Sequence, residues 1–206
     1  MPTLPRSPNW PYCDSSAPRE ISGEKDACGV GFIAQTNGEA SHWILEQSLQ
    51  GLECMEHRGG CGGDSDSGDG AGILCEIPWQ FLKSVWGEAK NIKESKSGLG
   101  MLFMPQNKEQ RESAKDFCEE EANSLGMTSI GWRKVPVDSS VLGHLARESA
   151  PYIEQWLLES EFKGRELEAL LFRLRRKIGN RAKNTFASKP SNLYIASLST
   201  KTVVYK

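Results

Sequence analysis

Asp26-Ala27-Cys28-Gly29-Val30-Gly31-Phe32 is the stretch on which the reading of this chain turns. A cysteine stands directly before two closely spaced glycines and an apolar run. Two readings compete. Cysteine is among the residue types most often buried, so Cys28 can be a small core side chain at the start of a strand. It can also be a nucleophile that becomes functional when the residues ahead of it are removed. The second reading explains Gly29 and Gly31, since side chains there would crowd a substrate lying over the strand. No histidine lies near in sequence to serve as its base. A cysteine exposed as a new N-terminus carries its own, because a free α-amine has a pKa of ~7.7–8.0. That amine can take the thiol proton directly or through water. Such chemistry requires cleavage between Ala27 and Cys28.

The 206 residues are enough for one large domain or two small ones with a real core. The formal net charge of -2 gives no basic surplus that would draw nucleic acid and no acidic excess. No apolar run approaches the ~20 residues of a membrane span. Residues 1–27 contain Pro2, Pro5, Pro8, Pro11 and Pro18 with several serines and no periodicity, which reads as an extended leader. The leader lacks the apolar core of a secretory signal. The cysteines at 13, 28, 54, 61, 75 and 118 are therefore read as free thiols of a reducing compartment, the cytoplasm, rather than a disulfide framework.

From Cys28 outward the pattern mixes strands and helices. Gly29 to Gln35 reads as a buried strand, with Asn37-Gly38 as a hairpin turn after it. Ser41 can cap a helix carrying Leu45, Leu49, Leu52 and Met55 on one stripe. A glycine-rich loop, Gly59 to Gly72, leads to a strand at 73–77. Pro78 opens a short helix with Phe81, Leu82 and Val85 inward. A strand at 99–104 precedes a helix capped by Asn107 with Gln110 and ending at Gly126. Strands follow at 130–137 and 152–158. Residues 164–180 give a strongly amphipathic helix, with Leu167, Leu170, Leu171, Leu174 and Ile178 on one side and Arg or Lys opposite. Short strands at 193–197 and 202–205 end the sequence. Thr202-Val203-Val204-Tyr205-Lys206 stops within a strand pattern, so the sequence is expected to be part of something longer.

The second informative stretch is Glu56-His57-Arg58-Gly59-Gly60-Cys61-Gly62-Gly63. An arginine at a helix C-terminus followed by glycine can be ordinary dipole compensation and a stop signal. But the glycines continue through Gly68-Asp69-Gly70-Ala71-Gly72, more than a stop requires. A backbone of this kind lets a ligand approach closely, and a fixed Arg58 beside it can hold a carboxylate with two parallel bonds. Other readings fit less well. The loop lacks the Lys-Ser/Thr of a phosphate loop and the spacing of a dinucleotide fingerprint. Asp64-x-Asp66 begins like a calcium loop, but Gly68 and Asp69 are misplaced and Cys75 stands where the closing glutamate belongs. Cys54, His57, Cys61 and Cys75 offer four zinc-type ligands without the usual paired spacing, the basis of an alternative non-catalytic zinc module. His42 and His144 read as surface or satisfied core residues.

Taken in order, Ala27-Cys28-Gly29-Val30-Gly31-Phe32, Glu56-His57-Arg58-Gly59-Gly60 and Gly68-Asp69-Gly70-Ala71-Gly72 resemble the N-terminal, class-II glutamine amidotransferase domain of the glutamate synthase large chain, an N-terminal-nucleophile hydrolase. The likeness continues through Leu142-Gly143-His144-Leu145-Ala146-Arg147-Glu148, Ile153-Glu154-Gln155, Tyr194-Ile195-Ala196-Ser197-Leu198-Ser199 and Val203-Val204-Tyr205-Lys206. The resemblance implies an α+β fold, a four-layer α/β/β/α sandwich incomplete at its C-terminal end, with 1–27 as leader and 28–206 as the front of the domain. It implies Cys28 as the nucleophile on L-glutamine, with Arg58, Gly59 and Gly60 holding the substrate and no metal. The family's oxyanion hole is an Asn-Gly pair in a motif expected beyond Lys206. Asn37-Gly38-Glu39 matches it superficially but stands too close to Cys28 and reads as a turn. Activity of these residues alone is accordingly expected to be incomplete, since one missing oxyanion donor costs ~10² to 10³ in rate. FMN, an iron–sulfur cluster, the acceptor 2-oxoglutarate and the site for the electron donor, ferredoxin or an NADPH-linked subunit with ferredoxin favoured by the resemblance, are expected to belong to regions outside this sequence. The compartment implied is cytoplasm, or plastid stroma in a photosynthetic eukaryote.

Overall fold

Alternation along Leu99, Met101 and Leu102, Met104 sends apolar side chains to both faces of one strand, so that strand must be covered on both sides. A computed structural model describes residues 29–55, 59, 64, 66–68, 70–185 and 193–205. They divide into two compact units, one within residues 1–70 together with 140–148, the other 71–139 with 149–206.

In the second unit the doubly covered strand is β2 (Ser97–Met104), preceded by β1 (Ile73–Glu76) and α2 (Trp79–Val85). After it come α3 (Lys108–Asn123), β3 (Met127–Lys134), β4 (Tyr152–Ser160), α5 (Gly164–Thr185), β5 (Tyr194–Ser199) and β6 (Thr202–Tyr205). The short helix between β3 and β4 is α4 (His144–Ser149), most of which belongs to the first unit. Four strands form an antiparallel sheet in the order β3-β4-β2-β5, and β1 pairs antiparallel with β6 in a separate ribbon. Bulges in β3 near Ile130 and in β5 near Ala196 shift the register.

One core lies between the sheet and helices α3 and α5, built from Leu102, Met104, Phe117, Trp156, Leu171 and Leu174 among others. The amphipathic stripe of α5 is buried as its spacing requires, although Leu170 is only partly covered. Gly98 of β2 admits this helix: a Cβ there would lie 2.7 Å from Leu171 Cδ1. A second core, on the opposite face of the sheet, joins Leu99, Met101 and Leu157 to Val203 of β6 and to Leu82, Trp86 and Ala89 of α2 and the turn after it. The fold is α+β with antiparallel sheets.

Several elements differ from expectation. Gly29 to Gln35 is not a strand; Val30 and Phe32 are 94% and 93% exposed, and no neighbouring strand pairs with them among the described residues. Without a ladder the apolar pattern has nothing to hold it extended. The Asn37-Gly38 turn forms, with Gly38 at φ +72° and its amide donating to Gln35 O at 3.2 Å, but it joins no two strands. The first helix, α1 (His42–Cys54), is capped by Ser41 Oγ accepting from Trp43 N, yet buries no residue, and Leu49 is exposed. On α2 only Leu82 of the three expected residues is buried; Phe81 and Val85 are exposed. The covered stripe is Trp79, Leu82 and Trp86, because the chain leaves the helix at Val85 and turns Trp86 inward. Asn107 caps α3 as expected, its Oδ1 accepting from Gln110 N, but the helix ends at Asn123 and Gly126, at φ +74°, follows as the turn.

Candidate active site

Of the site residues read from the sequence, Cys28, Arg58 and Gly60 lie outside the described residues, as do His57 and Cys61 of the zinc alternative. Gly59 is an exposed bend. Cys54 ends α1 and is exposed, while Cys75 on β1 is half-buried, its thiol pKa pushed up by burial and by the neighbouring Glu76 carboxylate. Among the described residues no three His, Cys, Asp or Glu side chains gather as metal ligands.

The glycine-rich loop has one firmly built place. Asp64 Oδ1 accepts from the Ser67 amide at 2.9 Å, and Oδ2 accepts from Ser67 Oγ at 2.7 Å and from the Leu145 amide at 2.9 Å. Ser67 Oγ in turn accepts from the Ala146 amide at 3.0 Å. Leu145 and Ala146 open α4, so a side chain some eighty residues earlier satisfies amides that a helix start leaves without intrahelical partners. The Leu145 amide and then the Ser67 hydroxyl hold the Asp64 carboxyl far below the usual carboxylate range. Gly143 lets the two segments meet: a Cβ there would fall 2.6 Å from Ser67 Oγ and 2.7 Å from the backbone carbon of Asp66. The calcium-loop reading of Asp64, which fits the sequence poorly, gains nothing here: its oxygens accept from backbone amides and a hydroxyl. Its partnership with residues 142–146 left no local signature; only the pairing of a Gly-Asp-rich loop with a distant Leu142-Gly143-His144 could have hinted at it.

In the second unit a polar chain crosses from the four-stranded sheet to the ribbon. Arg133 Nη1 donates to Gln155 Oε1 at 2.8 Å, and Gln155 Nε2 donates to the Tyr205 hydroxyl at 3.3 Å. Gln155 is fully buried. Burial raises the Tyr205 pKa against the lowering effect of the Gln155 bond. Gln155 sits in the Ile153-Glu154-Gln155 stretch, which the sequence marked for resemblance and not for a role.

The fold thus presents antiparallel sheets flanked by helices, with a side-chain-anchored glycine loop downstream of residue 28. The chain belongs to the class-II glutamine amidotransferases: the profile of that family matches residues 28–206. It is 43% identical over 188 residues to ferredoxin-dependent glutamate synthase 2 of Synechocystis sp. (strain ATCC 27184 / PCC 6803 / Kazusa), a match covering 89% of this chain and 12% of the relative. Ferredoxin-dependent glutamate synthase of Pyropia yezoensis is 41% identical over 205 residues, 98% of this chain and 13% of the relative. The chloroplastic/mitochondrial ferredoxin-dependent glutamate synthase 1 of Arabidopsis thaliana is 40% identical over 192 residues, covering 91% and 12%. The chain therefore spans about an eighth of the length of these relatives.

Proposed function

We propose that residues 28–206 act as the glutaminase part of a ferredoxin-dependent glutamate synthase, with Cys28 as the N-terminal nucleophile after removal of residues 1–27. The observation that carries this is where the family match begins: at residue 28, the cysteine whose sequence setting left a core and a nucleophile reading open and which the resemblance makes the nucleophile. In the reaction, the α-amine of Cys28 takes the thiol proton, and the thiolate attacks the side-chain amide carbon of L-glutamine. Collapse of the tetrahedral adduct breaks the C–N bond, with the amine's proton passing to the leaving nitrogen. Ammonia departs, and water cleaves the thioester to glutamate. Arg58 holds the substrate α-carboxylate, and the backbone at Gly59 and Gly60 shapes the pocket. The fold proposed for residues 28–206 is the family's four-layer α/β/β/α sandwich. FMN, the iron–sulfur cluster and the site for ferredoxin and 2-oxoglutarate are assigned to the rest of the relatives' length, in cytoplasm or plastid. No helix among the described residues is long and apolar enough to cross a membrane.

The test is a chimera in which this chain replaces the matching segment of the Synechocystis relative. N-terminal sequencing should begin at Cys28, and Cys28→Ala should abolish glutamine-dependent glutamate formation. A chimera that keeps Ala27 joined to Cys28 and turns over glutamine at full rate refutes the mechanism.

A further inference from the structure

Helices that face water usually interleave acidic and basic residues at spacings of three and four, so that each cation has a carboxylate within reach. α5 breaks that pattern. Residues 169–183 hold six cations (Arg173, Arg175, Arg176, Lys177, Arg181 and Lys183) and no Asp or Glu, in a chain whose formal net charge is -2. The cations divide by direction. Lys177 and Arg181 point to α3, where Lys177 Nζ lies 2.7 Å from Glu121 Oε2 and Arg181 Nη2 lies 2.7 Å from Glu120 Oε2. Arg173, Arg176 and Lys183 are exposed, and no carboxylate pairs with them among the described residues.

A large apolar group stands within this basic face. Phe172, 64% exposed, lies on one line of the helix with Arg176 and Lys183, four and eleven residues further on. Beside it, α5, β5 and the β1–β6 ribbon border a cleft of about 350 Å³ whose apolar lining is Leu74, Phe172, Ala196, Leu198 and Val204. Leu74 is 64% exposed as well. Arg175 also lines the cleft; its guanidinium donates to Ala196 O at a long 3.5 Å, which leaves most of its fork of donors open. The carboxylate at the cleft, Glu168, accepts instead from the Thr200 amide at 2.9 Å and the Thr200 hydroxyl at 2.7 Å. All of these residues belong to the second unit.

We propose that this face of α5, with the cleft beside it, is a docking surface for an acidic–apolar segment of the longer polypeptide in which the relatives carry this domain. The charge calls for carboxylates, because a face of cations gains most from an anionic partner and arginine forks pair with carboxylates through two parallel bonds. The cleft and Phe172 call for an apolar side chain seated between those charges. Size argues for a tethered partner. From Phe172 to Lys183 the helix face is ~17 Å long and ~10 Å wide. With the cleft that is on the order of a few hundred Å², well short of the ~800 Å² per side of a free-standing interface. A segment of the same polypeptide arrives at high effective concentration and needs less. The match covers 12% of two relatives and 13% of the third, so ample chain lies outside it to supply that segment. The inference rests on family membership and not on the roles proposed for Cys28 and Arg58.

The experiment uses the full-length chimera with Phe172 replaced by the photo-reactive analogue benzoylphenylalanine. Irradiation should join position 172 to a segment outside the matched part that carries Asp or Glu beside an apolar residue, identified by mass spectrometry of the cross-linked peptides. Arg175→Glu with Arg176→Glu should lower that yield at least about fivefold, whereas Arg175→Lys with Arg176→Lys, which keeps the charge, should hold it within about threefold. Hydrogen exchange at the β2 and β4 amides reports whether the unit is still folded. If the double reversal unfolds it, Arg176→Glu alone, at an exposed position, decides. Absent cross-links, cross-links confined to residues 28–206, links between two copies of the chimera or links to a separate protein overturn the inference, as does a yield that ignores charge reversal. A Cys28→Ala chimera that still consumes glutamine overturns the proposed function and leaves this inference standing.

Discussion

The sharpest stability prediction concerns Ser129, which the β3 bulge places between two indoles. Trp156 is fully buried, and its Nε1 donates to Ser129 Oγ at 2.9 Å. Ser129 Oγ donates to Glu119 Oε1 at 2.9 Å, and the same carboxylate oxygen accepts from Trp132 Nε1 at 2.7 Å. The two rings stack at 4.8 Å with 3° between planes, as direct cross-strand partners in the β3–β4 register. Ser129→Ala removes one oxygen and opens almost no cavity, so its cost is electrostatic. A buried indole N–H stripped of its acceptor costs about 1–3 kcal/mol. The lost bond to the Glu119 carboxylate adds about 1.5–3 kcal/mol, less what water restores at this half-exposed site. A total of about 2–4 kcal/mol follows. Urea unfolding followed by near-ultraviolet circular dichroism measures it. Because the mechanism names one donor, it predicts a coupling: in a Trp156→Phe background, which has no N–H to orphan, Ser129→Ala should cost about 1–3 kcal/mol less. Equal costs in the two backgrounds would refute the reasoning, whatever their size.

Other outcomes follow from the same structure. Lys115→Met should destabilise by about 3–5 kcal/mol, since it leaves the Glu154 carboxylate, 6% exposed and 2.9 Å from Lys115 Nζ, uncompensated beside the sheet, whereas Lys115→Met with Glu154→Leu should recover most of the loss in a thermal melt. Gly98→Ala should cost about 1–3 kcal/mol by pressing on Leu171, and Leu171→Val in the same chain should relieve part of it, a negative coupling visible in denaturant titration. Asp64 is held below its unfolded pKa of ~3.9, so its contribution is fully present above that value and is lost as pH falls toward the folded pKa. Protection of the Leu145 amide, corrected for intrinsic exchange, should therefore hold at pH 5 and decline below about pH 4, and Asp64→Asn should abolish that pH dependence.

What could be read in advance, and what could not, divides along the range of the interactions. The helix from Gly164 was legible because its stripe repeats locally at helical period, and the structure extends it only at its C-terminal end, to Thr185. The caps at Ser41 and Asn107 were legible for the same reason, being bonds over two or three residues. The Gly29 to Gln35 strand failed because strand existence is not local: apolar character marks a segment that could pair, and the partner decides. Phe81 and Val85 failed on a subtler count. Helical period assigns them to one side of α2, but the helix is only seven residues long, and burial of Trp86 just beyond its end rotates the covered face.

The same distinction separates the residues for which chemistry is proposed from those whose contacts the structure shows. Cys28 and Arg58 stand out in the sequence because the roles proposed for them need only single side chains with telling neighbours. Asp64 and Ser67 do not, because what they do is defined by Leu145 and Ala146, some eighty residues later. A loop made of glycine advertises its freedom in sequence and conceals its restraint. That asymmetry has a consequence for where substitutions should be tolerated. Replacements at exposed loop positions such as Gly70, which sits at φ +89° with open space around its Cβ position, test backbone conformation alone. Replacements at Gly143 test the junction between loop and helix, where the neighbouring atoms are backbone and cannot move aside. Gly143→Ala should therefore mimic Asp64→Ala in amide exchange at Leu145, and Gly70→Ala should not, although Gly70 has the less permissive φ. If the two glycine variants behave alike at the Leu145 amide, the Asp64 contact does not depend on the close backbone approach at Gly143.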